Sequence, residues 1–376
     1  MAAPQAKKTK SAKESSSSGG VGGFIARMNA PSVGVSDVAI FSRQFSTMIN
    51  AGLPVLQCLS IIADQQTNAT FKRVIGAIKD DIGSGGNLSD SMGKHPKIFN
   101  ELYVNMIRSG ELGGVLDTIL ERLSIYMEKA EALRRKIKSA LMYPTIVVSV
   151  AVLVIVFLMI KVIPTFQSVF ESFGHALPPL TQMVVNISNF MQKYWYVVLG
   201  TPVVFVMLFN VFKKTPRGAY LVDKMMLKLP VFGDLLKKAA VAKFSRTLGT
   251  LLKSGVPILE ALETVAKTSG NKVVEEVING ARASIREGQG MTEPLKKGGV
   301  FPAMVLQMVA VGEETGKIDE MLMRAADFYE EEVDTAVEGL SAILEPIIIV
   351  FLGISIGTIV VAMFLPMFEM GNVVGD

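Results

Sequence analysis

The chain has 376 residues, half of them apolar and only 19% charged, with a formal charge of +4 and a mean hydropathy of +0.41. An ordinary soluble domain carries about 25% charge, and the deficit here is gathered into a few long uncharged runs, so part of the chain belongs in lipid. One cysteine and two histidines exclude a disulfide framework and multi-thiolate metal centres and leave little imidazole for metal or triad chemistry.

Residues 1–35 read as a disordered basic tail. Lys7, Lys8, Lys10, Lys13 and Arg27 stand against Glu14 among serines and glycines, a composition that buries too little apolar surface to offset its ordering entropy. With no aromatic interleaving and no folded motif beside it, the tail is a solvated segment and implies no nucleic-acid partner. Residues 36–140 follow as a helical domain. Phe41, Phe45, Met48 and Ile49 fall on one helix face, Gly52 ends that helix and Pro54 opens the next. A Gly-rich turn, short helices and Gly110 lead to a long helix that begins near Val115 and enters the first membrane helix, 141–164.

Ser139 to Ile160 is uncharged, enough at about 1.5 Å per residue to cross the roughly 30 Å of hydrocarbon. Pro144 removes one helical hydrogen bond and predicts a kink at the membrane boundary. Residues 165–193 form an outer connection, and 194–212, opened by Tyr194-Trp195-Tyr196, a second span with an aromatic interface belt. A second helical domain occupies 213–340, a third span 341–366 and an outer tail 367–376. Lysines and arginines crowd the inner flanks (Arg134, Arg135, Lys136, Lys138; Lys213, Lys214, Arg217, Lys224, Lys228), whereas 164–193 holds only Lys193 and nothing basic follows Pro366. Both large domains therefore face the cytoplasm.

The two halves repeat one another. FSRQFSTMINAGLPVLQCLSIIA at 41–63 and FSRTLGTLLKSGVPILEALETVA at 244–266 share nine of 23 positions, among them Arg43 and Arg246. At an offset of 202, Gly110-Glu111 then meets Gly312-Glu313, Gly114 meets Gly316, Asp117 meets Asp319, Pro144 meets Pro346 and Pro164 meets Pro366. The expected fold is all-α, with two homologous cytoplasmic helical bundles and three transmembrane helices.

Few of these residues point to chemistry. Gly312 to Lys317 resembles a phosphate loop but is one residue short, has Ile318 where a hydroxyl is needed and follows no strand; no nucleotide, metal or other cofactor site is expected. Glu111 and Glu313 fit two roles, an acidic residue favouring a helix start or a loop carboxylate presented to a partner's arginine. Arg43 and Arg246, on otherwise apolar helices, suit an internal hydrogen bond to a helix end, with a partner contact as the alternative. Cys58 is a core filler matched by Ala261. Glu345 abuts Pro346 at the third span, close enough to the interface to be either structural or functional.

FSRQFSTMINAGLPVLQ, its second copy, VFPAMVLQMVAVGEETGKIDEMLMRAADFYEEEV and the Glu345 to Phe368 span resemble the inner-membrane platform family of type IV pili and type II secretion, the PilC and GspF proteins, over about residues 36–370. Met48, Gln57 and GEETGKIDEML look more like the pilus branch. The Ser-Gly-rich amino terminus departs from the family, and nothing known of that region in relatives carries over. The resemblance implies a non-enzymatic platform of the bacterial inner membrane. It implies coupling of hexameric assembly and retraction ATPases to pilin subunits entering or leaving a fibre, as in twitching motility. Inner-membrane alignment proteins, membrane lipids and further copies of the chain, with a dimer favoured, are the other implied partners. A secretion platform is the alternative within the family. A transporter is the alternative outside it, disfavoured by uncharged midplane stretches.

Overall fold

The computed structural model describes residues 32–172, 177–230 and 232–373. Residues 1–31 of the expected 1–35 tail, and His175, lie outside them; the last residue of that tail, Val35, opens the first helix. Six helices build the first unit: α1 (Val35–Asn50), α2 (Val55–Gln65), α3 (Ala69–Gly83), α4 (Leu88–Gly93), α5 (Glu101–Gly113) and α6 (Leu116–Phe157). A π-helical turn, Leu158–Val162, leads into α7 (Ile163–Ser172). Then come α8 (Pro179–Lys193), α9 (Trp195–Lys214) and α10 (Pro216–Met226). The second unit is α11 (Phe232–Lys253), α12 (Ile258–Thr268), α13 (Lys272–Arg286), α14 (Thr292–Lys297), α15 (Ala303–Thr315) and α16 (Ile318–Val373). Among the described residues there is no strand.

The repeat is structural as well as textual. Helices α12 and α13 begin 203 residues after α2 and α3, and α15 and α16 begin 202 after α5 and α6. The turn glycines recur in the left-handed region, Gly52 (φ 84°) with Gly255 (φ 81°) and Gly114 (φ 67°) with Gly316 (φ 70°), where a side chain would be strained. Gly316, the near-miss of the phosphate loop, is thus a helix C-cap.

Phe41 anchors the first core. Its ring lies 5.5 Å from Phe45 and from Phe71 and 5.7 Å from Phe99, which meets Tyr103 at 4.9 Å. The second unit keeps Phe244 against Phe301 at 4.8 Å and fills the rest with aliphatic side chains such as Leu248, Val274 and Val305. The cores merge into one buried cluster. Asn105 Nδ2 donates to Thr264 Oγ1 (2.9 Å), Lys267 reaches Glu101 (3.0 Å), and the hydroxyls of Tyr126 and Thr247 lie 3.2 Å apart.

Among the described residues, three helices are long and apolar enough to cross a membrane, within Leu116–Phe170, Trp195–Lys214 and Ile318–Phe368. Helices α6 and α16 run from bundle to apolar stretch without interruption, through Pro144 and Pro346. The break from α-helical hydrogen bonding comes instead at 158–162, directly ahead of Pro164. A proline ring crowds the carbonyl four residues back, and a wider π turn shifts that pairing.

The connection at 165–193 carries most of α7 and the whole of α8. Helix α8 packs Val184 and Val185 against Met159, Ile163, Ile359 and Ala362, so it bridges the segment just beyond α6 and the far part of α16. Thr181 Oγ1 donates to the Ala362 carbonyl (2.6 Å), and the Ser188 hydroxyl donates to the Met159 carbonyl inside the π turn. Each hydroxyl occupies an oxygen that apolar surroundings would leave costly.

Candidate functional site

The duplicated charged residues form two small constructions in each unit. Glu111 and Glu313 lie within α5 and α15, not on exposed loops. The Glu111 carboxylate accepts the Leu88 N–H at 2.6 Å and the Ser89 N–H at 3.0 Å. Glu313 accepts the Met291 N–H at 2.5 Å and the Thr292 hydroxyl at 2.6 Å. The helices they cap, α4 and α14, are six residues long, too short to persist without tertiary support. A carboxylate over their unpaired N–H groups supplies partners and a favourable charge at the positive end. The capped helix is thus the short one that precedes, not the long one that follows.

Gly110 and Gly312 sit one residue earlier because the long helix starts against them. A Cβ at Gly312 would lie 2.8 Å from the Ile318 Cα, and one at Gly110 3.1 Å from the Ile119 Cβ. Asp117 and Asp319 occupy the first turns of α6 and α16, where a carboxylate suits the helix dipole.

Arg43 and Arg246 grip carboxylates on the long helix of their own unit. Arg43 Nε meets Glu128 Oε1 at 2.5 Å while its Nη2 takes the other oxygen. Arg246 donates to both Glu330 oxygens at 2.7 Å and to Asp327 at 2.5 Å. The receiving groups are therefore side chains rather than helix ends. Glu128 and Glu330 stand 202 residues apart, so the same offset that aligns the glutamates pairs them too.

The two copies then diverge. Arg246 is buried, and α6 adds Lys129 to its carboxylates, 3.1 Å from Asp327 and 3.0 Å from Glu330. One heptad on, Lys136 lies 2.9 Å from Asp334 and 3.6 Å from Glu338. Burial works against the Arg246 cation, yet Glu330 and Asp327 outweigh it and raise its pKa. Burial likewise opposes the Asp327 charge, but Arg246 and Lys129 hold its carboxyl below the ordinary value. In the first unit Arg43 and Glu128 stay about half exposed beside an open cleft of about 460 Å³ lined by α1 and α6. Here the Arg43 hydrogen bond keeps Glu128 below the usual carboxylate range.

Pro144 and Pro346 lie sixteen residues beyond Glu128 and Glu330, about 24 Å along each helix, and take no part in these clusters. Glu345 is exposed at the start of the third apolar stretch. Among the described residues no three His, Cys, Asp or Glu side chains gather into a metal-ligating group. The clusters hold helices together through ion pairs and helix-start hydrogen bonds.

Two copies of one helical module, each drawn out into a membrane-length helix, define a duplicated membrane-anchored scaffold. The family model for type II secretion system protein F matches this chain twice, at residues 41–164 and 244–366, and the chain belongs to that family. It is 48% identical over 338 residues to the type IV pilus assembly protein PilC of Myxococcus xanthus, covering 90% of this chain and 81% of the relative. To PilC of Pseudomonas aeruginosa it is 42% identical over 340 residues, covering 90% and 91%. To the type II secretion system protein F of Xanthomonas campestris it is 33% identical over 335 residues, covering 89% and 83%. These relatives are named as assembly and secretion-system proteins, none by an enzymatic activity. The family and the three apolar helices together support an inner-membrane protein.

Proposed function

We propose that this chain is the non-enzymatic inner-membrane platform of a type IV pilus machine, coupling cytoplasmic assembly and retraction ATPases to pilin subunits that enter or leave the fibre. The observation that carries this reading is the 42–48% identity, through both modules, to proteins named for type IV pilus assembly. The secretion reading has the family name behind it but lower identity, 31–33%. The build of the molecule supports a transmitting part. Helices α6 and α16 have 42 and 56 residues, about 63 and 84 Å. Each is packed into a bundle at one end and continuous with an apolar stretch at the other, so a push on the bundles reaches the bilayer through rigid rods.

Chemical crosslinking of the intact chain in its native membrane tests this reading. A hexameric ATPase and a pilin should be captured together. Capture of secretion pseudopilin alone would move the assignment to the secretion branch, and substrate flux in liposomes holding this chain alone would replace it with a transporter.

A further inference from the structure

The region where α9 meets α10 has features that the packing of the two bundles leaves unused. Thr215 caps α10 through the Gly218 N–H (3.1 Å), and Gly218 approaches α9 so closely that a Cβ there would lie 2.1 Å from the Phe212 carbonyl. The chain therefore folds back sharply where the second apolar helix ends. One face of α10 is buried through Val222, and the Asp223 carboxylate accepts the Lys272 N–H at 2.7 Å at the start of α13.

The opposite face carries Arg217, Leu221, Lys224 and Met225 at helical spacing, and Lys228 follows the helix end; all five are exposed. Between α9 and α10 opens a cleft of about 370 Å³ lined by Phe209, Val222, Met225, Met226, Lys228 and Leu229. Its wall is apolar and its one charged lining residue is a lysine. Along residues 213–230, Lys213, Lys214, Arg217, Lys224 and Lys228 stand against a single acid in sequence, Asp223, which is buried and engaged. Among the described residues, the nearby ion pairs engage Lys238 and Lys272, not these five, and Lys224 lies over the Tyr220 ring at 5.6 Å.

We infer that this corner is a binding site for an anionic phospholipid of the leaflet that α10 faces, with an acyl chain in the Phe209–Leu229 cleft and the headgroup phosphate on Lys228, Lys224 and Arg217. A headgroup of negative charge fits a corner with uncompensated cations, and a hydrocarbon chain fits an apolar cleft continuous with a membrane helix. A soluble anion would leave the apolar wall unused, and a zwitterionic lipid would leave the cations without net countercharge. The inference rests on α9 crossing the bilayer. Its physical consequence is that lipid clamps α10, which through Asp223 and α13 ties the second bundle to the membrane surface. Each cation near an anionic surface is worth about 1 kcal/mol, or roughly fivefold in relative affinity.

The test uses the full chain in nanodiscs of phosphatidylcholine carrying an equal small fraction of either brominated phosphatidylglycerol or brominated phosphatidylcholine. Trp195 is the sole tryptophan, so the natural chain reports on the span itself, and a Trp195→Phe, Leu221→Trp chain reports on the exposed face of α10, one residue from Val222 of the cleft lining. The Leu221→Trp reporter should be quenched more by brominated phosphatidylglycerol than by brominated phosphatidylcholine. That preference should vanish when Arg217, Lys224 and Lys228 are all changed to glutamine and survive when they are exchanged for the other basic residue. Equal quenching by the two lipids, or a preference unmoved by the glutamine changes, overturns the inference. A Trp195 that neither lipid quenches would instead overturn the membrane placement on which it rests.

Discussion

At the scale of single residues, the repeated Gly-Glu pairs hold each module's short helix and long helix in register. Gly312 is the tighter of the two glycines, since the first contact of an added Cβ is with backbone that has no freedom to rotate away. Gly312→Ala should lower stability by about 1–3 kcal/mol, read as a fall in the detergent-solubilised protein's unfolding midpoint. Gly339→Ala, on an exposed stretch of α16 with nothing within 4 Å, should be neutral or slightly stabilising. The sequence marked Gly312-Glu313 as special by repetition alone. It did not reveal that the carboxylate turns back to a preceding helix, because the Met291 and Thr292 donors open a six-residue helix that has no motif of its own.

The Arg246 cluster carries a pH dependence. Asp327 stands about 20 Å along α16 from the apolar stretch that begins near 341, and its folded pKa lies below the ordinary 3.8. A carboxylate whose pKa is depressed on folding contributes stability that is complete above its unfolded value and is lost as the pH falls through the folded one. Stability should therefore hold from neutral pH down to about pH 4 and decline below it, and Asp327→Asn should flatten that decline. A variant with the same acid slope as the natural protein would remove Asp327 from this account.

At the scale of elements, the long helices and their apolar stretches were legible because uncharged runs and turn glycines are local signals. The widened turn at 158–162 shows where local reading stops. Pro144 sits inside a continuous helix, whereas Pro164 follows a π turn whose Met159 carbonyl is taken by Ser188, 29 residues away in sequence. Helix α8 was missed for a related reason. Thr181, Val184, Val185 and Ser188 do have helical spacing, but two of those four are polar, and only their acceptors in the π turn and on α16 explain why they are buried. Ser188→Ala should strand the Met159 carbonyl in apolar surroundings and cost about 1–3 kcal/mol, seen as a lower thermal midpoint. Asn186→Ala on the exposed face of α8 should change little.

At the scale of the whole molecule, the sequence announced two equivalent modules and the structure makes them unequal. Helix α6 brings Lys129 to the carboxylates that hold the buried Arg246, while the matching Arg43 pair stays open. Equivalent residues acquire different surroundings because the modules pack asymmetrically, side on, through Asn105, Thr264, Tyr126 and Thr247. No single-copy motif encodes that choice, which depends on surfaces that only the folded units possess. Side-on packing also requires both modules to occupy one side of the bilayer, and a transmitting platform needs them on the side of the ATPase. Maleimide labelling of single cysteines in spheroplasts tests this most directly, in a Cys58→Ala chain carrying Arg73→Cys, its counterpart Glu276→Cys, or Asn186→Cys between the first two spans. The account predicts that a membrane-impermeant reagent labels position 186 in intact cells and positions 73 and 276 only after lysis. Labelling of either 73 or 276 in intact cells would contradict it.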